Sequence, residues 1–243
     1  MNNMDLEEKV ISVHGLTKVY GKGYEPALNN VSFDLHRGDF VYLIGPTGAG
    51  KTTLLHILMG LRKPTSGYAE VLGHRIDPSG NERDLRDLRL RTGIIFQGSY
   101  LLNDRTVYEN VIMSLEVRDY PVPEVKRRAE ALLYKLGLLD KKNFMPEELS
   151  GGQKQLVAFA RAILHEPELL IADEPTANLD MNTARELIKT IQNLTANMNT
   201  TVLLATHNVE LVAEMGSRVI RLERGSIVFD AKKLKSLAQS VAP

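Results

Sequence analysis

Apolar and polar positions follow two rhythms along this chain. Lys9 to Val13 and Ala27 to Leu35 alternate or cluster apolar residues as short strands do, and Asp39 to Ile44 (DFVYLI) is a continuous run suited to a buried strand. The first third is therefore mainly β. Helical spacing follows at Val125, Ala129, Leu132, Leu133 and Leu136, one apolar stripe with Lys and Arg on the other faces, and Pro123 lies where a first turn tolerates it. A further amphipathic helix starts near Thr106, whose T-x-x-E spacing to Glu109 is that of a capping box ahead of Val111 and Ile112. Beyond residue 165 come a strand at Leu169 to Ala172, a helix with Leu187, Ile191 and Leu194 in register, and a strand at Thr201 to Ala205. Strand, helix, strand implies a parallel sheet. Arg218 to Leu222 and Ser226 to Phe229, joined through Glu223, Arg224 and Gly225, read as a closing hairpin. The expected organisation is one domain of 1–243, with core segments 1–96 and 166–243 and a helical lobe, 97–165, inserted between them.

Composition narrows the function classes. At 243 residues and 43% hydrophobic content the chain can bury a full core. Its 30 Lys+Arg balance 30 Asp+Glu, which removes the overall basic field of a non-specific nucleic-acid binder, so no nucleic-acid partner is expected. The absence of cysteine excludes a disulfide framework, a thiolate zinc site and a catalytic thiol, and fits a cytoplasmic location. Met1 to Val10 carries Asp5, Glu7 and Glu8 rather than the apolar stretch of a secretory signal, and no run approaches the roughly 20 apolar residues that span a bilayer. Work at a membrane would need a partner as anchor.

The strongest chemical signal is Gly45-Pro46-Thr47-Gly48-Ala49-Gly50-Lys51-Thr52, which fits G-x-x-x-x-G-K-[ST] between the buried run and the apolar helix of Leu54, Leu55 and Leu58. Its glycines let backbone N–H groups converge on phosphate oxygens, and a helix N-terminus, continuing through Thr53, adds positive partial charge. Lys51 is expected to reach the β- and γ-phosphates of ATP, and the Thr52 hydroxyl to ligate Mg²⁺. Leu169 to Ala172 ends in Asp173 and Glu174, and the C-terminal end of a parallel strand faces the ligand crevice. Adjacent acids there can divide the work, Asp173 holding Mg²⁺ and Glu174 orienting and deprotonating water.

Leu149-Ser150-Gly151-Gly152-Gln153 separates one class of phosphate-loop enzymes from the rest, and with it the chain resembles the ABC ATPase family. The resemblance runs from Tyr20 to His207 in the family's order: phosphate loop, Gln97 after a strand, signature, acid-ended strand, Asn178-Leu179-Asp180, and a histidine after the next strand. It implies an α/β fold, a P-loop NTPase (RecA-like) parallel-sheet core with an N-terminal antiparallel β subdomain and an inserted α-helical lobe. It also implies a head-to-tail homodimer on ATP, in which Ser150, Gly151, Gly152 and Gln153 of one copy close over ATP held by the other. The signature would open a helix from about Gln153 through Leu164 and offer its N-terminus to an anion.

Further roles carry over residue by residue. Tyr20 resembles the aromatic that stacks on adenine, with Tyr24 in the same loop as the alternative. Gln97 resembles the glutamine that touches Mg²⁺ and links the site to the helical lobe. His207 resembles the switch histidine at the γ-phosphate, and the other histidines, 14, 36, 56, 74 and 165, read as surface or packing residues. Asp180 resembles the acid that communicates across the dimer, a role compatible with capping a helix. Two positions depart from the pattern: Ala177 stands where the family usually has Gly, and Leu156 where it usually has Arg.

The stretch after Gln97 is where this class meets an integral membrane protein. Here Leu101 to Val111 (LLNDRTVYENV) looks most like the cell-division branch of the family, and Gly137 to Lys141, Asn143-Phe144 and Pro146 lean the same way. The lipoprotein-release and export branches share the run Asp173 to Asp180 and are the alternative. The DNA-repair branch needs long coiled-coil or zinc-bearing insertions between phosphate loop and signature, for which there is no room.

Overall fold

Strand pairing divides the β-structure into two sheets of different chemistry. In the computed structural model, which describes residues 8–21, 23–80 and 85–231, β1 (Lys9–Lys18), β2 (Leu28–His36), β4 (Ser66–Val71) and β5 (His74–Ile76) form an antiparallel sheet in the order β2-β1-β4-β5. Most of the acidic N-terminal stretch lies outside the described residues. β1 runs past Val13 to Lys18 because Gly15, at φ 55°, takes up a register shift between Val13 and Leu16. The second sheet has the order β10-β9-β3-β8-β7-β6, from β10 (Ser226–Ala231), β9 (Arg218–Glu223), β3 (Phe40–Ile44), β8 (Thr201–Thr206), β7 (Leu169–Asp173) and β6 (Thr92–Ile95). It is parallel from β9 to β6, and only β10 pairs antiparallel, as the closing hairpin requires.

Alternation along these strands builds two cores, one on each face. Tyr42, Ile44, Leu170, Ala172, Val202 and Leu204 face a cluster shared with the helices α3 (Val107–Glu116), α4 (Val122–Lys135), α5 (Gly151–Ile163), α6 (Met181–Asn197) and α7 (Val209–Met215). Val41, Leu43, Leu169, Ile171, Leu203 and Ala205 face the opposite cluster, closed by the antiparallel sheet, α1 (Lys51–Leu58) and Leu88 of α2 (Arg86–Arg91). At roughly 1.5–3 kcal/mol per fully buried large aliphatic side chain, this two-sided burial makes the strand ends a rigid base for the loops above them.

The apolar stripe of α4 is buried at Val125, Ala129, Leu132 and Leu133, with Pro123 in its first turn. Thr106 caps α3 with the full reciprocal box: its hydroxyl accepts from the Glu109 N–H at 3.2 Å, and the Glu109 carboxylate accepts from the Thr106 N–H at 2.8 Å. The signature helix starts at Gly151, two residues before the expected Gln153, because Ser150 is its N-cap; the Ser150 hydroxyl accepts from the Gln153 N–H at 3.3 Å, and Gln153 Oε1 accepts from the Ser150 N–H at 2.9 Å. Leu156, in place of Arg, packs against the helical-side cluster.

Candidate functional site

The phosphate loop joins β3 to α1 above the centre of the parallel sheet, beside the ends of β7 and β8. Gly50 precedes α1 at φ 105°, a conformation closed to L side chains, and a Cβ there would lie 2.3 Å from the Ala27 carbonyl oxygen. The loop and helix line a cleft of about 290 Å³ that gathers Thr47, Gly48, Ala49, Gly50, Lys51, Thr52 and Thr53 with Gln97, Glu174 and His207. The first-turn N–H groups of α1 have no acceptor within the helix, so they and the helix dipole are available to an anion.

Lys51 is buried and donates from Nζ to the carbonyls of Gly45 at 2.7 Å and Pro46 at 3.2 Å, with Glu174 Oε1 3.6 Å away. Glu174 follows β7 at φ 49°, left-handed backbone that is uncommon for a side chain of this size, and its N–H donates to the Ala205 carbonyl at 3.0 Å. That turn aims the carboxylate across the cleft, where Oε2 meets His207 Nδ1 at 2.8 Å and the His207 N–H at 3.3 Å. The His207 side chain is otherwise exposed, 63% of its surface being open. Asp173 is buried, and its Oδ1 has no hydrogen-bond partner among the described residues. Burial pushes its carboxyl up, the nearby Thr52 hydroxyl pulls it down, and the Glu174 charge pushes it up again.

Other residues singled out from the sequence lie around this cleft or away from it. Tyr20 is half exposed at its edge, its hydroxyl 3.2 Å from Thr53 Oγ1, whereas Tyr24 is more exposed and has no such link. Ser150 to Gln153 and Asp180 do not line the cleft of their own chain. They lie beside each other instead: a Cβ on Gly152 would come 2.6 Å from Thr183 Cγ2, and Thr183 donates to Asp180 through its N–H at 3.1 Å and its hydroxyl at 2.6 Å. Asp180 thereby caps α6. Ala177 donates its N–H to the Glu174 carbonyl at 3.1 Å and sits in the turn that carries the acid.

Asn110 and Arg161 have structural roles that no sequence pattern isolates. Asn110 is fully buried; its Oδ1 accepts from the Leu102 N–H at 2.8 Å, and its Nδ2 contacts the carbonyls of Leu102, Arg105 and Thr106 at 3.0 Å, which fixes the loop before α3. Arg161 donates to the carbonyls of Tyr100 and Ser99, both at 2.9 Å. A fully buried Asn in an amphipathic stripe is the one signal that could have flagged the first.

Comparison with known proteins agrees with this geometry. Residues 28–177 match the ABC transporter family. The chain is 39% identical over 224 residues to the cell division ATP-binding protein FtsE of Bacillus subtilis, covering 92% of this chain and 97% of that protein. It is also 39% identical over 225 residues to a methionine import ATP-binding protein, MetN 2, of Bacillus cereus, covering 92% of this chain and 66% of that one. Among solved structures, the dimeric ATP-binding cassette MJ0796 bound to ADP and Pi superposes with a TM-score of 0.81 at 32% identity, covering 91% of this chain and 98% of that chain. The cbiO1 subunit of Clostridium perfringens, part of the cbiONQ transporter complex, gives 0.87 at 29% identity, over 96% and 92% of the two chains. The chain belongs to the ABC transporter family, as an ATP-binding and ATP-hydrolysing subunit.

Proposed function

We propose that this ATPase drives an integral membrane partner in the manner of FtsE, coupling ATP-dependent closure of a homodimer to a signal through an FtsX-like protein that reaches cell-wall hydrolases. Identity does not separate the FtsE and MetN relatives, since both stand at 39%. The observation that favours the cell-division reading is the stretch Leu101 to Val111, held in one shape by buried Asn110, exposing Leu102 and bordered by exposed Tyr100 and Val117. Among the described residues no helix is long and apolar enough to cross a membrane, so the partner would hold the chain at the inner face. The 39% identity to MetN keeps an import role as the second reading.

In the mechanism this supports, Gly45 to Thr53 wrap the phosphates of ATP, and Lys51 leaves its loop carbonyls for the β- and γ-phosphates. Tyr20 stacks on the adenine. The orphaned Oδ1 of buried Asp173, beside the Thr52 hydroxyl, is a donor set suited to Mg²⁺, with Gln97 as the third contributor. Bound there, the ion would neutralise charge on the phosphate oxygens. Glu174 takes a proton from water as the water oxygen bonds to the γ-phosphorus and the bond to the ADP oxygen breaks. His207 holds that carboxylate, and Ser150, Gly151, Gly152 and Gln153 of a second copy complete the site because they lie outside the cleft of their own chain. Asp180, next to that signature, is placed to carry the state of one half-site to the other.

A photocrosslinking residue at Tyr100 in cells tests the partner. Capture of an FtsX-like membrane protein supports the reading, and capture of an importer's or exporter's membrane subunit refutes it.

A further inference from the structure

We propose that Arg161 is a positioning residue for Gln97, acting from the helical side through the turn Gly98-Ser99-Tyr100. The inference rests on the reading of Gln97 as a group that faces the reacting phosphate.

Gln97 lines the nucleotide cleft, and the turn after it has three successive residues in left-handed backbone: Gly98 at φ 94°, Ser99 at 59° and Tyr100 at 42°. Glycine adopts this freely, but serine and tyrosine do so only when their surroundings impose it. The Tyr100 N–H closes the turn onto the Gly98 carbonyl at 2.7 Å, which leaves the carbonyls of Ser99 and Tyr100 to outside donors. Arg161, near the end of α5, supplies both from one guanidinium: NH2 donates to Ser99 and NH1 to Tyr100, each at 2.9 Å. A planar fork can satisfy two carbonyls at once, which an ammonium group does less rigidly.

The energetic setting shows that this contact is not a by-product of an ion pair. Among the described residues Arg161 forms no salt bridge, and burial pushes its guanidinium down from the usual arginine range. A half-buried cation is costly unless its donors are paired, and here the Ser99 and Tyr100 carbonyls pair them. Arg161 also lines a groove of about 370 Å³ between α2, α3 and α5, shared with Arg118 and His165. One side chain therefore touches the turn behind Gln97 on one side and an open groove on the other. Arg118 is a matched control in the same groove: it too donates to backbone carbonyls, those of Ser114 and Leu90, but neither belongs to the Gln97 turn.

The test is a double-mutant cycle in the full chain with Arg161→Met, Gln97→Ala and both together, alongside Arg161→Lys and Arg118→Met. ATPase rate is measured against ATP and against magnesium, and binding of a fluorescent ATP analogue is measured without magnesium. Arg161→Met should lower kcat about tenfold to a hundredfold and raise the magnesium needed for half-maximal rate, with analogue binding unchanged. Arg161→Lys should recover part of the rate, and the effect of Arg161→Met should vanish once Gln97 is Ala. Arg118→Met should lose thermal stability without moving the magnesium dependence. Additive losses in the cycle, or an Arg161→Met enzyme with normal kcat and magnesium dependence beside an impaired Gln97→Ala enzyme, overturn the inference alone. A Gln97→Ala enzyme with wild-type kinetics overturns both the inference and the reading of Gln97.

Discussion

On the proposed mechanism, Glu174→Gln should separate ATP binding from cleavage, and the sizes of both effects can be worked from its position in the cleft. Glutamine keeps the length of the side chain and can accept the φ of 49° as poorly as glutamate does, so the fold sees little change. What disappears is the base: general-base catalysis is worth about 10²–10⁴ in rate, or about 3–5 kcal/mol at 1.36 kcal/mol per decade. What also disappears is a negative charge 3.6 Å from Lys51, in the cleft where phosphates must enter. Two unit charges about 4 Å apart interact by about 4 kcal/mol at an effective dielectric near 20, so removing a carboxylate that repels the γ-phosphate should leave ATP affinity equal or tighter. Lys51 keeps the Gly45 and Pro46 carbonyls in the meantime. Single-turnover release of phosphate, with size-exclusion chromatography in ATP, reads both parts: turnover should fall at least a hundredfold while a dimer accumulates. Turnover within tenfold of wild type would refute Glu174 as the base, and loss of ATP binding would refute the claim that its carboxylate is not needed to hold nucleotide.

Other perturbations address other links. Because burial raises the Asp173 carboxyl, the folded protein holds that proton more readily than the unfolded chain, and ionisation as pH rises through the folded value costs stability. Asp173→Asn should therefore raise Tm by a few degrees at pH 7 in magnesium-free buffer, abolish turnover, and show a shrinking gain as pH falls, by scanning calorimetry. Glu168 shifts the opposite way: Arg91 at 2.6 Å, then Arg37 at 2.8 Å, hold its carboxyl down to about 2. Its stabilisation is full above the ordinary carboxylate range and lost as pH falls through about 2, so Glu168→Gln should lower Tm at pH 7 with a deficit that closes in acid. Asn110→Ala leaves the Leu102 N–H without its acceptor and the Arg105 carbonyl without its side-chain donor, while the Leu102 and Thr106 carbonyls keep the backbone N–H groups of Arg105 and Asn110, and should cost about 1–3 kcal/mol in urea unfolding. Gly48→Ala has open space but a φ of 80°, so it should lose about 1–2 kcal/mol, whereas Gly50→Ala adds a 2.3 Å clash with the Ala27 carbonyl and should fail to fold or to bind ATP.

Legibility in the sequence followed the range of the interactions. Runs buried on both faces, such as Phe40 to Ile44 and Leu169 to Asp173, advertise a parallel sheet because both of their neighbours are apolar layers. The capping box expected at Thr106 is local and forms, and Ser150-x-x-Gln153 spells a second whose N-cap starts the signature helix two residues before its expected place. The phosphate loop is equally local in its chemistry. The antiparallel sheet was harder: β4 contains Ser66 and Gly67, and β1 is broken by Gly15, so alternation fades although both strands form. The sites that sequence patterns do not isolate depend on distant partners. Arg161 is one more basic residue on an amphipathic helix until its partners, 61 and 62 positions away, are known.

Strain makes the same point about the site as a whole. Four of the non-glycine residues with left-handed backbone lie at or just after the two strand ends that bring Gln97 and Glu174 to the cleft: Ser99 and Tyr100 follow Gln97, Glu174 is one itself, and Asn178 lies shortly after it. Each such residue costs about 1–3 kcal/mol and persists only where its surroundings over-determine it. Here the surroundings are the parallel strands β6 and β7, the second buried along its whole length, with Arg161 and the Ala205 carbonyl fixing the two turns from outside. A relaxed loop could hold Gln97 or Glu174 near the phosphates without holding either still. In the proposed mechanism catalysis needs them still, so stability drawn from the two cores is spent at the two strand ends that line the cleft.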